Sequence, residues 1–90
     1  MKIIYTRHAI DKLKRKDIKA FGINKIILRK ALTNQTHTEQ TRYNAWATLL
    51  PLNGYTLRVI YVKLTPEEIK LITFHITKKG RYERKVLPRR

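Results

Sequence analysis

Asn53-Gly54 stands between two runs of alternating residues, and no other pair constrains the fold as tightly. Asn followed by Gly supplies both left-handed positions of a two-residue type I′ turn, whose twist matches that of the strands it joins. Residues 42–50 and 55–64 are therefore expected to pair antiparallel. In the first run, Tyr43, Ala45, Ala47 and Leu49 share one face, with Arg42, Asn44, Trp46 and Thr48 on the other. In the second, Leu57, Val59 and Tyr61 oppose Arg58, Ile60 and Val62, and two apolar faces predict a central strand. Thr65-Pro66-Glu67-Glu68 reads as another turn, before a third strand. There Lys70, Ile72, Phe74 and Ile76 fall on one side, and Leu71, Thr73 and His75 on the other.

Upstream, Ile3-Ile4-Tyr5 reads as a short first strand and Thr6 as an N-cap. Ala9, Ile10, Leu13, Ala20 and Phe21 recur near helical spacing, with Asp17 the misfit on that stripe. Gly22 suits a helix stop. Asn24 then caps a second helix with Ile26, Ile27, Ala31 and Leu32 on its apolar side, and residues 35–41 read as a polar loop. The expected fold class is α+β, in the order β-α-α-β-β-β: an antiparallel sheet with a helical hairpin packed on one face. The opposite face is left for a ligand. Residues 1–90 form one domain, with a basic C-terminal tail from about 78 to 90.

Composition narrows the chemistry. There is no cysteine, and His8, His37 and His75 are too widely spaced for a zinc pattern, so no metal and no cofactor are expected. No apolar run is long enough to span a membrane and no signal peptide opens the chain, which predicts a cytoplasmic protein without a membrane partner. Against 6 acids stand 21 cations, a formal net charge of +15. Such a balance speaks about partners, and nucleic acid is the first choice. Ten cations and two acids lie in residues 1–34, and eight cations and one acid in residues 69–90. If these segments lie side by side, they form one basic surface.

The candidate residues follow from strand parity and charge. His75 is expected on the ligand face, where it serves as acid or base or is merely a surface histidine. Arg58 sits mid-strand among apolar residues, so it must meet a ligand phosphate or an internal acid; the scarcity of acids favours phosphate. Arg42 and Trp46 share a facing, suited to holding a phosphate and stacking a base. A register slip of one residue would instead turn Trp46 into the core. Lys12 and Lys16 are one helical turn apart. His8 binds phosphate or anchors its helix to the sheet. Lys78, Lys79 and Arg81 are phosphate contacts, and Tyr82 stacks on a base or closes the sheet end.

Several local patterns fall in the same order as in a known family. They are His8-Ala9-x-x-Lys12-Leu13, Phe21-Gly22-Ile23, Leu57-Arg58-Val59-Ile60-Tyr61, and Ile72-Thr73-Phe74 followed by Lys78-Lys79-Gly80-Arg81-Tyr82. Together they resemble small, mainly prokaryotic domains related to the BrnT toxins, within the RelE/ParE toxin superfamily. The chain departs from that pattern at Gln35, where a proline is usual, and at His75, where BrnT proteins usually carry arginine. The resemblance implies a toxin-like RNA-binding protein, a metal-independent endoribonuclease of a type II toxin-antitoxin system. RNA, on or off the ribosome, would be the substrate and an antitoxin protein the partner. His75 would be the acid or base, Arg58 and Arg81 the clamp on the phosphorane, and Lys12 and Lys78 the guides. A non-catalytic nucleic-acid-binding domain and a gyrase-poison-like protein with an acidic partner are the alternatives.

Overall fold

A computed structural model describes residues 1–34, 37–41, 44–52 and 54–78. The elements are β1 (Lys2–Tyr5), α1 (Arg7–Leu13), α2 (Lys16–Ala20), α3 (Lys25–Thr33), β2 (Thr38–Gln40), β3 (Trp46–Leu52), β4 (Tyr55–Thr65) and β5 (Glu68–Lys78). The strands form one sheet in the order β1-β5-β4-β3-β2. The α+β class holds, and β3, β4 and β5 are antiparallel as expected. The sheet as a whole is mixed, however, because β1 runs parallel to β5. Among the described residues, no helix is long and apolar enough to cross a membrane.

Local chemistry sets the helix ends. The Thr6 hydroxyl accepts from Ala9 N–H at 3.1 Å and donates to the Ile72 carbonyl at 2.6 Å, so one side chain starts α1 and ties it to β5. The predicted first helix is in fact two. Arg15 is extended at φ −69° and ψ 141°, and it caps α2. Asp17 accepts from Ile18 N–H and from the Arg15 guanidinium. The misfit on the stripe is thus a first-turn acid, favoured by the helix dipole. Lys12 and Lys16 consequently lie on different helices and share no face.

At the end of α2, Gly22 N–H bonds Lys19 O and Ile23 N–H bonds Ile18 O, a Schellman closure. Gly22 takes φ +79° there. Ile18 and Ile23 are both buried, so the motif brings its own apolar contact. Asn24 caps α3 through Ile27 N–H at 3.0 Å. On α3, Leu28, Ala31 and Leu32 face inward, whereas Ile26, predicted inside, is 76% exposed.

The core lies between these helices and one face of the sheet. Ala9, Ile18, Ile23, Leu28, Ala31 and Leu32 pack on Leu57, Val59, Tyr61, Ile69, Leu71 and Phe74. The β4 facing is the predicted one. On β5 it is corrected, because Ile60 pairs with Thr73 and Tyr61 with Leu71, leaving Ile72 as an extra residue. This bulge flips the alternation. Leu71 joins Phe74 and Ile76 on the core side, and Lys70 moves to the side of Thr73 and His75.

The strand predicted over residues 42–50 is Trp46–Leu52, and the expected loop at 35–41 contains β2. Thr41 bonds the Ala45 carbonyl, and Asn44 takes φ 60°, a left-handed value that asparagine tolerates. Pro51 is admitted because β2 pairs only with Trp46, Ala47 and Thr48, so β3 has no neighbour on that side at Pro51. β3 and β4 pair as the expected hairpin requires, with Leu52 opposite Tyr55 and Gly54 at φ +89°; Asn53 itself lies outside the described residues.

Candidate nucleic-acid interface

β1 covers only the first part of β5, from Glu68 to Leu71. From Ile72 onward that edge has no strand neighbour among the described residues, and α1 packs beside it. Lys12 reaches the edge. Its Nζ donates to the Phe74 carbonyl, lies 5.3 Å from the Phe74 ring centroid and stands 3.5 Å from His75 Nδ1. One ammonium thus satisfies an edge acceptor, sits over an aromatic face and touches a titratable ring. His8 lies one helical turn before Lys12 on the same helix, so both face this corner. Arg58 is the cross-strand partner of His75.

Four predicted residues, His8, Lys12, Arg58 and His75, are therefore brought together from α1, β4 and β5. Their electrostatics agree with that placement. Burial lowers the His75 pKa from 6.5, and the charges of Lys12, Arg58 and His8 lower it further. Burial and the Arg15 charge lower the Lys12 pKa, against a smaller opposing pull from Asp17. The ring is held neutral under conditions where a free histidine is partly charged.

Arg58 requires a correction. It has an internal acid, since its guanidinium lies 3.6 Å from Glu39 Oε2, with side chains only 23% and 28% exposed. Glu39 pairs with Ala47 and Arg58 with Leu49, so the ion pair reaches across β3. No sequence signal announces this pair, because a three-residue strand such as β2 is too short to carry an alternation pattern. Nor is this face bare, as expected for a ligand face: Ala47 and Leu49 are fully buried on it.

Trp46 is corrected as well. It pairs with Tyr61, so it lies on the helical side, opposite to Arg58, and is 40% exposed. The alternative that a one-residue slip exchanges the faces is the one realised. Lys16 stands exposed on α2, away from the corner's three elements. Lys78 ends β5. Arg42, Lys79, Arg81 and Tyr82 lie outside the described residues.

Thr73, which strand parity put beside His75, adds an unforeseen feature: its Oγ1 is buried without a hydrogen-bond partner among the described residues. Among the described residues, no group of three or more His, Cys, Asp or Glu could hold a metal ion. A depression of about 390 Å³ between Met1, Thr33, Lys63 and Glu67 lies at the start of β5, and no candidate residue lines it. No family model matches the chain, and no curated protein or solved structure matches it either.

Proposed function

We propose that this protein is a toxin-like RNA-binding protein that grips a phosphodiester backbone at the corner between α1 and the part of the β5 edge beyond β1. The observation that supports this most is the convergence there of His8, Lys12 and His75. Lysine and histidine N–H groups suit non-bridging phosphate oxygens. The +15 net charge supplies the long-range attraction, and RNA as target implies a cytoplasmic site of action. An antitoxin protein would cover the same corner. The test is titration of labelled single-stranded RNA against salt. The expected result is binding that weakens steeply as salt rises and that Lys12→Met reduces; salt-independent binding or none overturns the reading.

Cleavage is the second reading, and the lowered His75 pKa favours it. A neutral ring takes the proton of a 2′-hydroxyl, the 2′-oxygen attacks phosphorus, and the bond to the 5′-oxygen breaks. Water returns a proton to that 5′-oxygen, leaving a cyclic phosphate on one product. Lys12 and Arg58, with Arg81 of the tail, stabilise the phosphorane, and Arg58 must first leave Glu39. Mapping of RNA ends after incubation in chelator, with and without ribosomes, tests it. Cyclic phosphate ends lost in His75→Gln support cleavage; intact RNA in both conditions leaves the non-catalytic binder.

A further inference from the structure

We propose that Lys12 is a positioning residue that fixes the ring of His75 as the Nε2–H tautomer and so turns its outward nitrogen into a hydrogen-bond donor. A charged lysine has three N–H donors and no lone pair. A neutral imidazole has one donor and one acceptor nitrogen. Lys12 Nζ faces His75 Nδ1 at 3.5 Å, at the outer limit of hydrogen-bond reach. A proton on that Nδ1 would point at an ammonium, which is repulsive whether or not the bond is fully formed. The lone pair therefore belongs on Nδ1, and the single proton of the neutral ring belongs on Nε2.

The ammonium is itself held in place. Its bond to the Phe74 carbonyl and its position over the Phe74 ring fix it at the β5 edge, next in sequence to His75. Thr6 holds the start of the same helix to Ile72 two residues before Phe74. The helix, the edge and the ring are thus locked by contacts that do not involve His75. The other charges facing the ring are His8 of α1 and Arg58 of β4, the latter paired with Glu39 of β2. Among the described residues, all those that act on His75 are cationic or become so, and none offers the carboxylate that would orient a histidine as a base.

The consequence, which rests on the reading of the corner as a phosphate site, concerns what the site offers. Lys12 and the Nε2–H of His75 are both donors, so the pair suits an anionic oxygen. Proton abstraction through Nε2 is closed while Lys12 keeps its charge, and only Nδ1 holds a lone pair, with the ammonium against it; the fixed tautomer therefore favours the non-catalytic binder over the cleavage reading, in which the same ring acts as a base. Histidine here does the work of a neutral donor.

Nitrogen-15 NMR of the full chain labelled in histidine tests this above the His75 pKa. The expected spectrum has the protonated signal on Nε2 of His75. Lys12→Met keeps the stem on Phe74 and removes the ammonium, so it should mix the tautomers and raise the His75 pKa. Lys12→Arg, which keeps a cation, should preserve the wild-type tautomer. A proton on Nδ1 in the wild type overturns the proposal, as does an unchanged tautomer in folded Lys12→Met; if that variant does not fold, the wild-type spectrum and Lys12→Arg decide. Binding of 2′-O-methyl RNA, which cannot be cleaved, is measured alongside. A locked tautomer without RNA binding keeps the positioning role and removes the proposed function, and RNA binding with a free tautomer does the reverse.

Discussion

His75 shows how one residue joins stability to ligand binding. Its pKa in the folded chain lies below 6.5, first because of burial and then because of Lys12, Arg58 and His8. As pH falls towards the usual histidine value, the unfolded chain takes up its proton before the folded chain does. The unfolded state binds more protons in that window, so stability is present above about pH 6.5 and is lost as pH falls through the folded pKa. His75→Gln should flatten this slope, as measured by urea midpoints at a series of pH values. A bound phosphate acts in the opposite sense, because it favours the charged ring. RNA binding should therefore tighten as pH falls through the same window, and His75→Gln should remove that gain. The two buried hydroxyls give a second expectation. Thr56 Oγ1 and Thr73 Oγ1 are buried without partners among the described residues, and each such group costs about 1–3 kcal/mol. Thr73→Val should leave stability unchanged or raise it by about 1 kcal/mol, read from denaturant midpoints. A loss of that size would show that its hydroxyl has a partner in solution.

Among the elements, α1 matters most for its position. It is short, at seven residues, and isolated helices of that length are not stable in water. It holds because its cap and Lys12 both bond to carbonyls of β5, so helix formation and edge protection are one event. Thr6→Ala removes the cap and the bond to Ile72 together. It should cost about 1–2 kcal/mol, and it should also disturb the His75 pKa, a readout that a simple cap would not change. Gly22 closes α2 at φ +79°, where any side chain is strained although the space around it is empty. Gly22→Ala should cost about 1 kcal/mol without altering RNA binding. The Ile72 bulge is the third device at this scale. By flipping the alternation it puts Leu71 in the core while keeping His75 beside Arg58, and neither strand alone contains that information.

On the scale of the whole molecule, the positive charge was legible in the sequence, and the candidate corner only in part. The hairpin at Asn53-Gly54, the facing of Leu57, Val59 and Tyr61, the caps at Thr6 and Asn24 and the stop at Gly22 are local matters, decided by backbone preference and period. His8 and Lys12 were legible for the same reason, since they share one face of one short helix. Where a reading depended on register between distant strands, it went wrong. Trp46 turned to the helical face while staying 40% exposed, and Arg58 found Glu39; separately, the local break at Arg15 parted Lys16 from Lys12. Acting over many angstroms, the +15 charge does not depend on those details. The logarithm of RNA affinity should fall linearly with the logarithm of salt concentration, and Lys12→Met should lower the slope by about one unit, as measured by fluorescence anisotropy.

By itself, the order of residues determined which segments become strands and helices, where most of them stop, and the sign of the surface they share. These are properties of neighbours in the chain, whose energies are settled within a turn or a hairpin. Only the folded sheet decided that His75 meets Lys12 at the β5 edge and that Arg58 answers to Glu39. Those meetings join residues 63 and 19 positions apart, and one bulge or one slipped pair moves every side chain beyond it to the other face.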